Sequence, residues 1–129
     1  MTDNTNTRPA VASITEADIQ AGKTMAILAY IIFLIPLLAA RDNKFAMYHT
    51  EQALINVIIC WGAYIVLTIL AIILGNLAGF IACGISIISY IIWIAYLVFL
   101  IMGLLNAAGG KIKELPIIGS YGAKLNLVK

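Results

Sequence analysis

The sequence predicts an all-α integral membrane protein with three transmembrane helices, the second and third forming an antiparallel hairpin. Two observations support this fold class. Of the 129 residues, 63% are hydrophobic and 11% are charged, whereas soluble domains are about 45–50% apolar and about 25% charged. In addition, no charged residue lies between Gln52 and Gly110, and none lies between Thr24 and Ala40. Because a water-soluble fold needs charges over most of its surface, this distribution excludes a soluble domain.

The first predicted span covers residues 24–40, between Lys23 and Arg41. It is short compared with the about 20 apolar residues that cross roughly 30 Å of hydrocarbon. Pro36 lies near its end, which a membrane helix tolerates. A cleaved signal peptide is the alternative, since residues 38–40 (LAA) end in small side chains. The acidic residues upstream and the length of the apolar run favour an uncleaved anchor.

The second uncharged run is long enough for two spans. Residues 75–79 (GNLAG) combine glycine and asparagine, which favour turns. A turn there leaves spans at about 53–74 and 80–106, within a membrane domain over residues 23–110. The third span is longer than the bilayer requires, so it is expected to tilt or to project from the membrane.

The two tails differ in character. Residues 1–22 form a polar tail that is expected to be disordered at its start, with a weak helix-capping signal at residues 15–18 (TEAD). Residues 111–129 form a basic amphipathic tail, which is expected to lie as a short segment on the membrane interface. Its lysines would face anionic lipid headgroups. These interfacial basic residues are Lys111, Lys113 and Lys124.

Lysine and arginine counts predict the orientation. With three spans, six of these residues lie on the side of the 41–52 loop and the carboxyl tail, and two lie on the amino side. Cytoplasmic loops carry the excess of basic residues. The prediction is therefore a multi-pass protein of the bacterial inner (cytoplasmic) membrane, with its amino terminus outside and its carboxyl terminus in the cytoplasm.

A polar stripe leads into the second span. Phe45, His49, Gln52 and Asn56 lie on one narrow helical face, at positions i, i+4, i+7 and i+11. Such a stripe should not face lipid, because unpaired amides and imidazoles are costly there. If the second and third spans pair through the predicted turn, Asn106 lies level with His49. We expect a hydrogen-bonded cluster that either fixes helix packing or faces a partner or substrate.

The sequence carries no recognisable catalytic constellation, so an enzyme is not expected. His49 is the single histidine, and Cys60 and Cys83 lie at different levels of the predicted spans. A zinc site needs three or four ligands, so neither a metal nor another cofactor is expected. Glu51, the acid nearest a span, is expected at the headgroup level. A net charge of +2 provides no basic stripe for nucleic acid.

Residues 44–56 (KFAMYHTEQALIN) resemble the signature of the Tic-twenty-like family of bacterial and plastid membrane proteins, which includes a chloroplast protein-import component. Residues 106–110 and 115–119 (LPIIG) are similar to the break and the short stretch that follow the family's last span. The resemblance covers about residues 22–125 and implies a small bacterial membrane protein, with a link to protein translocation. The matching residues of the signature are Phe45, His49, Gln52 and Asn56.

The function expected from these patterns is that of a non-enzymatic accessory or scaffold component of a membrane complex. Its partners would be the lipid bilayer and either a second copy or another membrane protein. The rival hypothesis is an oligomeric channel or small-solute transporter subunit, since three helices alone cannot enclose an aqueous pore. The residues that would line it are His49, Gln52, Asn56, Ser86 and Ser89.

Overall fold

Two long apolar helices dominate the structure. In the computed structural model, which describes residues 8–129, 78% of the described residues are helical and none lies in a strand. Helix α4 runs over Lys44–Gly75 and helix α5 over Gly79–Ala108. Both are long and apolar enough to cross a membrane. Only 6% and 0% of their most apolar windows are buried inside the protein, so these side chains face the surroundings. The all-helical character of the prediction is confirmed.

Helices α4 and α5 run in opposite directions and pack side by side. Residues 76–78 connect them, within the sequence that was expected to turn. Small residues let the helices approach closely near this connection, and aromatic rings separate them further along. The facing pairs, from the connection outward, are Gly75 and Ala82, Trp61 and Trp93, and Asn56 and Tyr96.

The segment predicted as the first span is not one helix. A short helix, α1, covers Pro9–Ala12, helix α2 covers Glu16–Ile31, and helix α3 covers Leu34–Ala39. Pro36 explains the break, because it has no N–H for the carbonyl of Ile32, four residues earlier, and its ring would clash with that carbonyl. Among residues 8–129, α4 and α5 are the helices that are long and apolar enough to cross a membrane. A third span is therefore not confirmed.

Helix α2 leads away from the start of α4, and helix α3 leads back towards it. The Thr15 hydroxyl accepts a hydrogen bond from the Asp18 N–H at 3.1 Å, and the Asp18 carboxylate accepts one from the Thr15 N–H at 2.9 Å. This capping box begins α2. Asn43 caps α4 by accepting from the Ala46 N–H at 2.9 Å, and its Nδ2 donates to the Asp18 carbonyl at 3.0 Å. The start of α4 therefore lies beside the start of α2.

The described parts of both tails meet at Glu51. The Arg8 guanidinium donates to both carboxylate oxygens, at 3.0 and 2.5 Å. The backbone N–H groups of Leu127 and Val128 donate to the same carboxylate at 2.8 and 3.1 Å. Three complete spans would have placed the amino tail beside the 75–79 turn. The expectation of tails on opposite sides disagrees with these contacts, because α2 and α3 turn back. The disorder expected at the start of the chain concerns residues outside the described range.

Burial divides the molecule into two parts, which we call the head (residues 8–56 and 103–129) and the stem (residues 57–102). In the stem, Cys60 alone is buried, whereas every residue from Phe45 to Ala53 is buried in the head. All charged side chains of the described residues lie in the head. The core of the head joins α2, the start of α4 and the carboxyl tail. Its largest apolar members are Val11, Ile19, Tyr30, Phe45, Met47, Tyr48, Ile112 and Val128.

Candidate functional site: the polar turns of helix α4

The candidate site consists of polar side chains on the first turns of α4, inside the head. Four consecutive residues, from His49 to Gln52, have no exposed surface, and Asn56 follows one turn later with 2% exposure. Burying such groups costs free energy unless each one is hydrogen-bonded. Within the described part of the chain, no buried side-chain nitrogen or oxygen lacks a partner. The site is therefore fully satisfied from within the protein.

His49 joins three parts of the head. Its Nδ1 lies 2.8 Å from the hydroxyl of Tyr30 on α2, and its Nε2 lies 2.8 Å from the carbonyl of Lys111, just beyond α5. Because a carbonyl only accepts, Nε2 carries the proton and donates, and Nδ1 accepts from the tyrosine hydroxyl. The rings of Tyr30, Phe45 and Tyr48 surround the imidazole edge-on, at centroid distances of 5.6, 4.7 and 5.4 Å. The packing and the two bonds fix one neutral tautomer.

Tyr30 reaches His49 by passing directly over α5. A Cβ atom at Gly103 would collide with the Tyr30 ring. A glycine at this position therefore lets α2 lie against α5, as small residues do where membrane helices approach closely. The ring of Tyr30 is 5% exposed, so it is part of the core of the head.

Gln52 binds the backbone of the carboxyl tail through both ends of its amide. Its Nε2 donates to the Gly119 carbonyl at 2.9 Å, and its Oε1 accepts from the Leu115 N–H at 2.9 Å. A Cβ atom at Gly119 would lie 2.5 Å from Oε1, so this approach requires glycine. Leu115 and Ile118 pack beside the amide against Ile55 of α4. The tail is thereby folded around a single side chain.

Glu51, the residue before Gln52 on the same helical turn, holds both tails. The carboxylate is fully buried, and Arg8 is 21% exposed. An unpaired carboxylate in this position would cost several kcal/mol. The bidentate guanidinium and two backbone N–H groups compensate for this cost with charge-assisted hydrogen bonds. The expected headgroup-level position of Glu51 is replaced by a position in the protein interior.

The polar stripe serves several separate contacts instead of one cluster. His49 and Gln52 bind the segments described above, and the Asn56 Nδ2 donates to the Tyr96 carbonyl of α5 at 3.3 Å. Asn106 is partly exposed, and no hydrogen bond within residues 8–129 joins its side chain to the other three. Each residue therefore binds a different element, chiefly through main-chain groups.

The carboxyl tail packs its apolar side against the protein. Ile112, Leu115 and Ile118 are 1%, 2% and 7% exposed, so they are covered by the head, whereas the amphipathic pattern placed them on the lipid side. A short 3₁₀ helix, Gly119–Leu125, completes the tail. The exposed side chains of the tail include those of Lys111, Lys113 and Lys124.

Sequence reasoning missed Arg8, Tyr30 and Gly119 as partners of the stripe. The available signal was the adjacent pair Glu51 and Gln52 at the edge of an uncharged run. Adjacent residues point to different sides of a helix, so two buried polar groups at these positions need partners from two directions. Only elements packed around the whole start of α4 can supply them.

The residues of the rival pore do not share one lining. His49 and Gln52 are enclosed in the head, whereas Ser86 and Ser89 lie on the stem and donate to carbonyls of their own helix at 2.9 and 3.0 Å. These serines border an open groove of about 420 Å³ between α4 and α5. Among the residues described, no group of three or more His, Cys, Asp or Glu side chains could hold a metal ion.

Comparison with models of protein families relates the chain to a known family. Residues 19–121 match the model of the magnetosome magnetite crystal formation protein family. The resemblance to the Tic-twenty-like family is therefore wrong, and the link to protein translocation has no support. The short motifs behind that resemblance are residues 44–56 and 115–119. In the structure they supply contacts between α4 and the carboxyl tail, so they belong to the packing of the head. Searches among curated proteins and among solved structures gave no significant match.

Proposed function

The chain belongs to the magnetosome magnetite crystal formation protein family, and we propose that it is a non-enzymatic structural protein of the magnetosome membrane. The observation that carries this proposal is the family match, which extends over most of the head and the whole stem. The geometry of the polar site agrees with a structural role, because its buried groups are all used to hold α2 and the two tails on α4.

The proposed arrangement in the membrane follows from the length of the stem. From Val57 to Gly75 the chain rises eighteen residues, or roughly 27 Å, which is close to the roughly 30 Å of hydrocarbon in a bilayer. The stem would cross as a hairpin of two helices. Helix α2 would not cross. Gly22 lies beside Asn43 at the start of α4, and only nine residues of helix, or roughly 14 Å, extend from Gly22 to Ile31 at the tip of α2.

The proposed orientation places the head in the cytoplasm. All eight lysine and arginine residues of the chain lie in the head, and basic residues concentrate on the cytoplasmic side of membrane proteins. Both tails would then lie in the cytoplasm, and the 75–79 turn would lie on the other side. The chain would expose one charged face for contact with other components of magnetite crystal formation.

Complementation of a magnetite-forming bacterium that lacks its own family member tests this proposal. We expect the wild-type chain to be recovered in the magnetosome membrane and to restore crystal number, size and shape, measured by electron microscopy. An Ile65→Lys/Ile69→Lys variant should fail, because two charges in the stem oppose insertion. Both side chains are about half exposed, at 54% and 51%.

The matched control is Leu77→Lys, which places the charge at the exposed connection between α4 and α5, where Leu77 is 79% exposed. This variant should restore crystals as the wild type does. Full complementation by a chain that does not enter the membrane would contradict the proposal. Normal crystals in the strain without any family member would contradict it as well.

A further inference from the structure

The head carries exposed apolar side chains on its underside, the surface from which the stem emerges. Ile31, Ile32 and Leu34, at the tip between α2 and α3, are 64%, 52% and 50% exposed. The tip borders a cavity of about 260 Å³ that is also lined by Val57 and Trp61. The tip therefore reaches the level at which the stem begins.

The carboxyl tail reaches the same level on another side of α4. Tyr121, which is 48% exposed, and Leu125 border a groove of about 350 Å³ together with Ile58 and Ile59. Exposed apolar groups from two separate elements thus flank α4 over residues 55–61. They continue directly into the exposed apolar surface of the stem.

This level lies at the near surface of a bilayer. From Val57 to Gly75 the stem rises eighteen residues, or roughly 27 Å, which is close to the roughly 30 Å thickness of the hydrocarbon. If the turn at residues 75–79 lies at the far surface, the tip of α2 and α3 lies at the boundary between the headgroups and the acyl chains of the near leaflet.

The position and the charge of this underside identify its occupant. It continues into the apolar surface of the stem, and Lys124 borders the groove beside Tyr121 and Leu125. A basic residue near an anionic membrane surface contributes about 1 kcal/mol of attraction. The head carries eight basic and five acidic residues, so two heads would repel and a second copy is a poorer fit.

We propose that the underside of the head is a lipid-binding wedge, occupied by acyl chains and anionic headgroups of the near leaflet. The boundary of the near leaflet then contains the stem helices, the apolar tip of α2 and α3, and the side chains of Tyr121 and Leu125, whereas the boundary of the far leaflet contains the stem helices alone. This difference in cross-section favours a membrane that curves with the head on its convex side. The inference rests on the two-span arrangement proposed above.

Reconstitution of the full chain tests the wedge. The protein is incorporated from detergent into small sonicated vesicles and large extruded vesicles of phosphatidylcholine and phosphatidylglycerol. A membrane-impermeant, amine-reactive dye measures the orientation, because all the lysines lie in the head. The ratio of head-out to head-in protein is expected to be several-fold higher in the small vesicles. An equal ratio in both sizes would overturn the proposal.

Two variants separate the wedge from other causes of orientation. Ile32→Gln/Leu34→Gln makes the tip polar and should abolish the dependence on vesicle size. Leu77→Gln/Phe80→Gln makes the same change at the opposite end, where both side chains are 79% exposed, and should preserve it. Loss of the dependence in both variants would overturn the assignment to the tip.

Two further outcomes would also overturn the wedge, and they distinguish its failure from that of the proposed membrane arrangement. Extraction of the reconstituted protein by alkaline carbonate would show that the stem does not cross, which refutes both proposals. Efficient disulfide dimers of an Ile32→Cys variant without Cys60 and Cys83, in protein that resists carbonate, would show that a second copy covers the tip. The two-span arrangement would then stand without the wedge.

Discussion

At the scale of single residues, the head depends on side chains that bind distant main-chain groups. Gln52 bonds to residues 63 and 67 positions away, and Glu51 bonds to residues as far as 77 positions away. Main-chain groups are obligatory hydrogen-bonding partners, so a buried one without a partner is costly. A side chain that satisfies two of them fixes the position of a whole segment.

Substitution of Gln52 by methionine should destabilise the head. Methionine has a similar length but leaves the Leu115 N–H and the Gly119 carbonyl without their partner, at about 1–3 kcal/mol for each group. The free energy of unfolding in micelles should fall accordingly, and protease cleavage around residues 113–118 should become faster.

The control for this substitution is Ser89→Ala, which removes a hydroxyl bonded within its own helix on the partly exposed stem. We expect a change within about 0.5 kcal/mol. A Gln52→Met protein as stable and as protease-resistant as the wild type would show that the tail is held by its apolar contacts alone.

At the scale of elements, two features determine the fold. One is the position of close contact between α2 and α5, and the other is the position at which the first apolar segment reverses direction. Gly103 permits the contact, and Pro36 causes the turn. Neither residue is part of the polar site. Both are needed to place the Tyr30 hydroxyl within hydrogen-bond distance of His49.

Gly103→Ala should separate α2 from α5. The added Cβ collides with the Tyr30 ring, and overpacking of this kind costs about 1–3 kcal/mol. The measurement is the free energy of unfolding. Gly84→Ala is the matched control, because it lies in the same helix with nothing within 4 Å of the added atom. In a Tyr30→Leu background the cost of Gly103→Ala should shrink, and an unchanged cost would refute the collision.

The out-and-back path of α2 and α3 predicts that both tails are accessible from one side of the membrane. In a protein without Cys60 and Cys83, single cysteines at Ala12 and Lys129 should react with an impermeant maleimide in the same vesicles. A cysteine at Leu77 should react in vesicles of the opposite orientation. Labelling of Ala12 and Leu77 from one side would restore the three-span arrangement.

At the scale of the whole molecule, the head behaves as one unit in which every element touches the start of α4. A chain that ends at Lys113 lacks the partners of Gln52 and two partners of Glu51. We expect faster hydrogen exchange in α2 as well as in α4 up to Asn56, while the stem stays protected. Normal protection of α2 in this truncated chain would show that the amino-terminal half of the head folds without the tail.

The features that the sequence predicts at this scale are those with local causes. Uncharged runs predict the apolar stem, residues 75–79 predict the connection, and Asn43 is a good helix cap at the position where α4 begins. The path of the first apolar segment has a different kind of cause. Pro36 ends a helix, but the direction after the break depends on contacts of Asn43 with α2.

The site was predictable as a set of residues but not as a set of contacts. The helical spacing of His49, Gln52 and Asn56 indicates a shared face, and their polarity requires partners. The partners themselves come from segments up to 67 residues away, whose own composition carries little signal. An interfacial tail and a tail folded onto α4 need the same alternation of apolar and basic residues, so Ile112 and Leu115 fit both.

The convergence of both tails on Glu51 has a consequence for synthesis on the ribosome. Val128 follows Glu51 by 77 residues, so at typical elongation rates of about 5–20 residues per second it emerges roughly 4–15 s later. Arg8 precedes Glu51 by 43 residues and is therefore available at once. The nascent chain thus has a cation for its acidic group before the stem helices are made, and the backbone N–H groups of Leu127 and Val128 join this group only after the whole stem has been made.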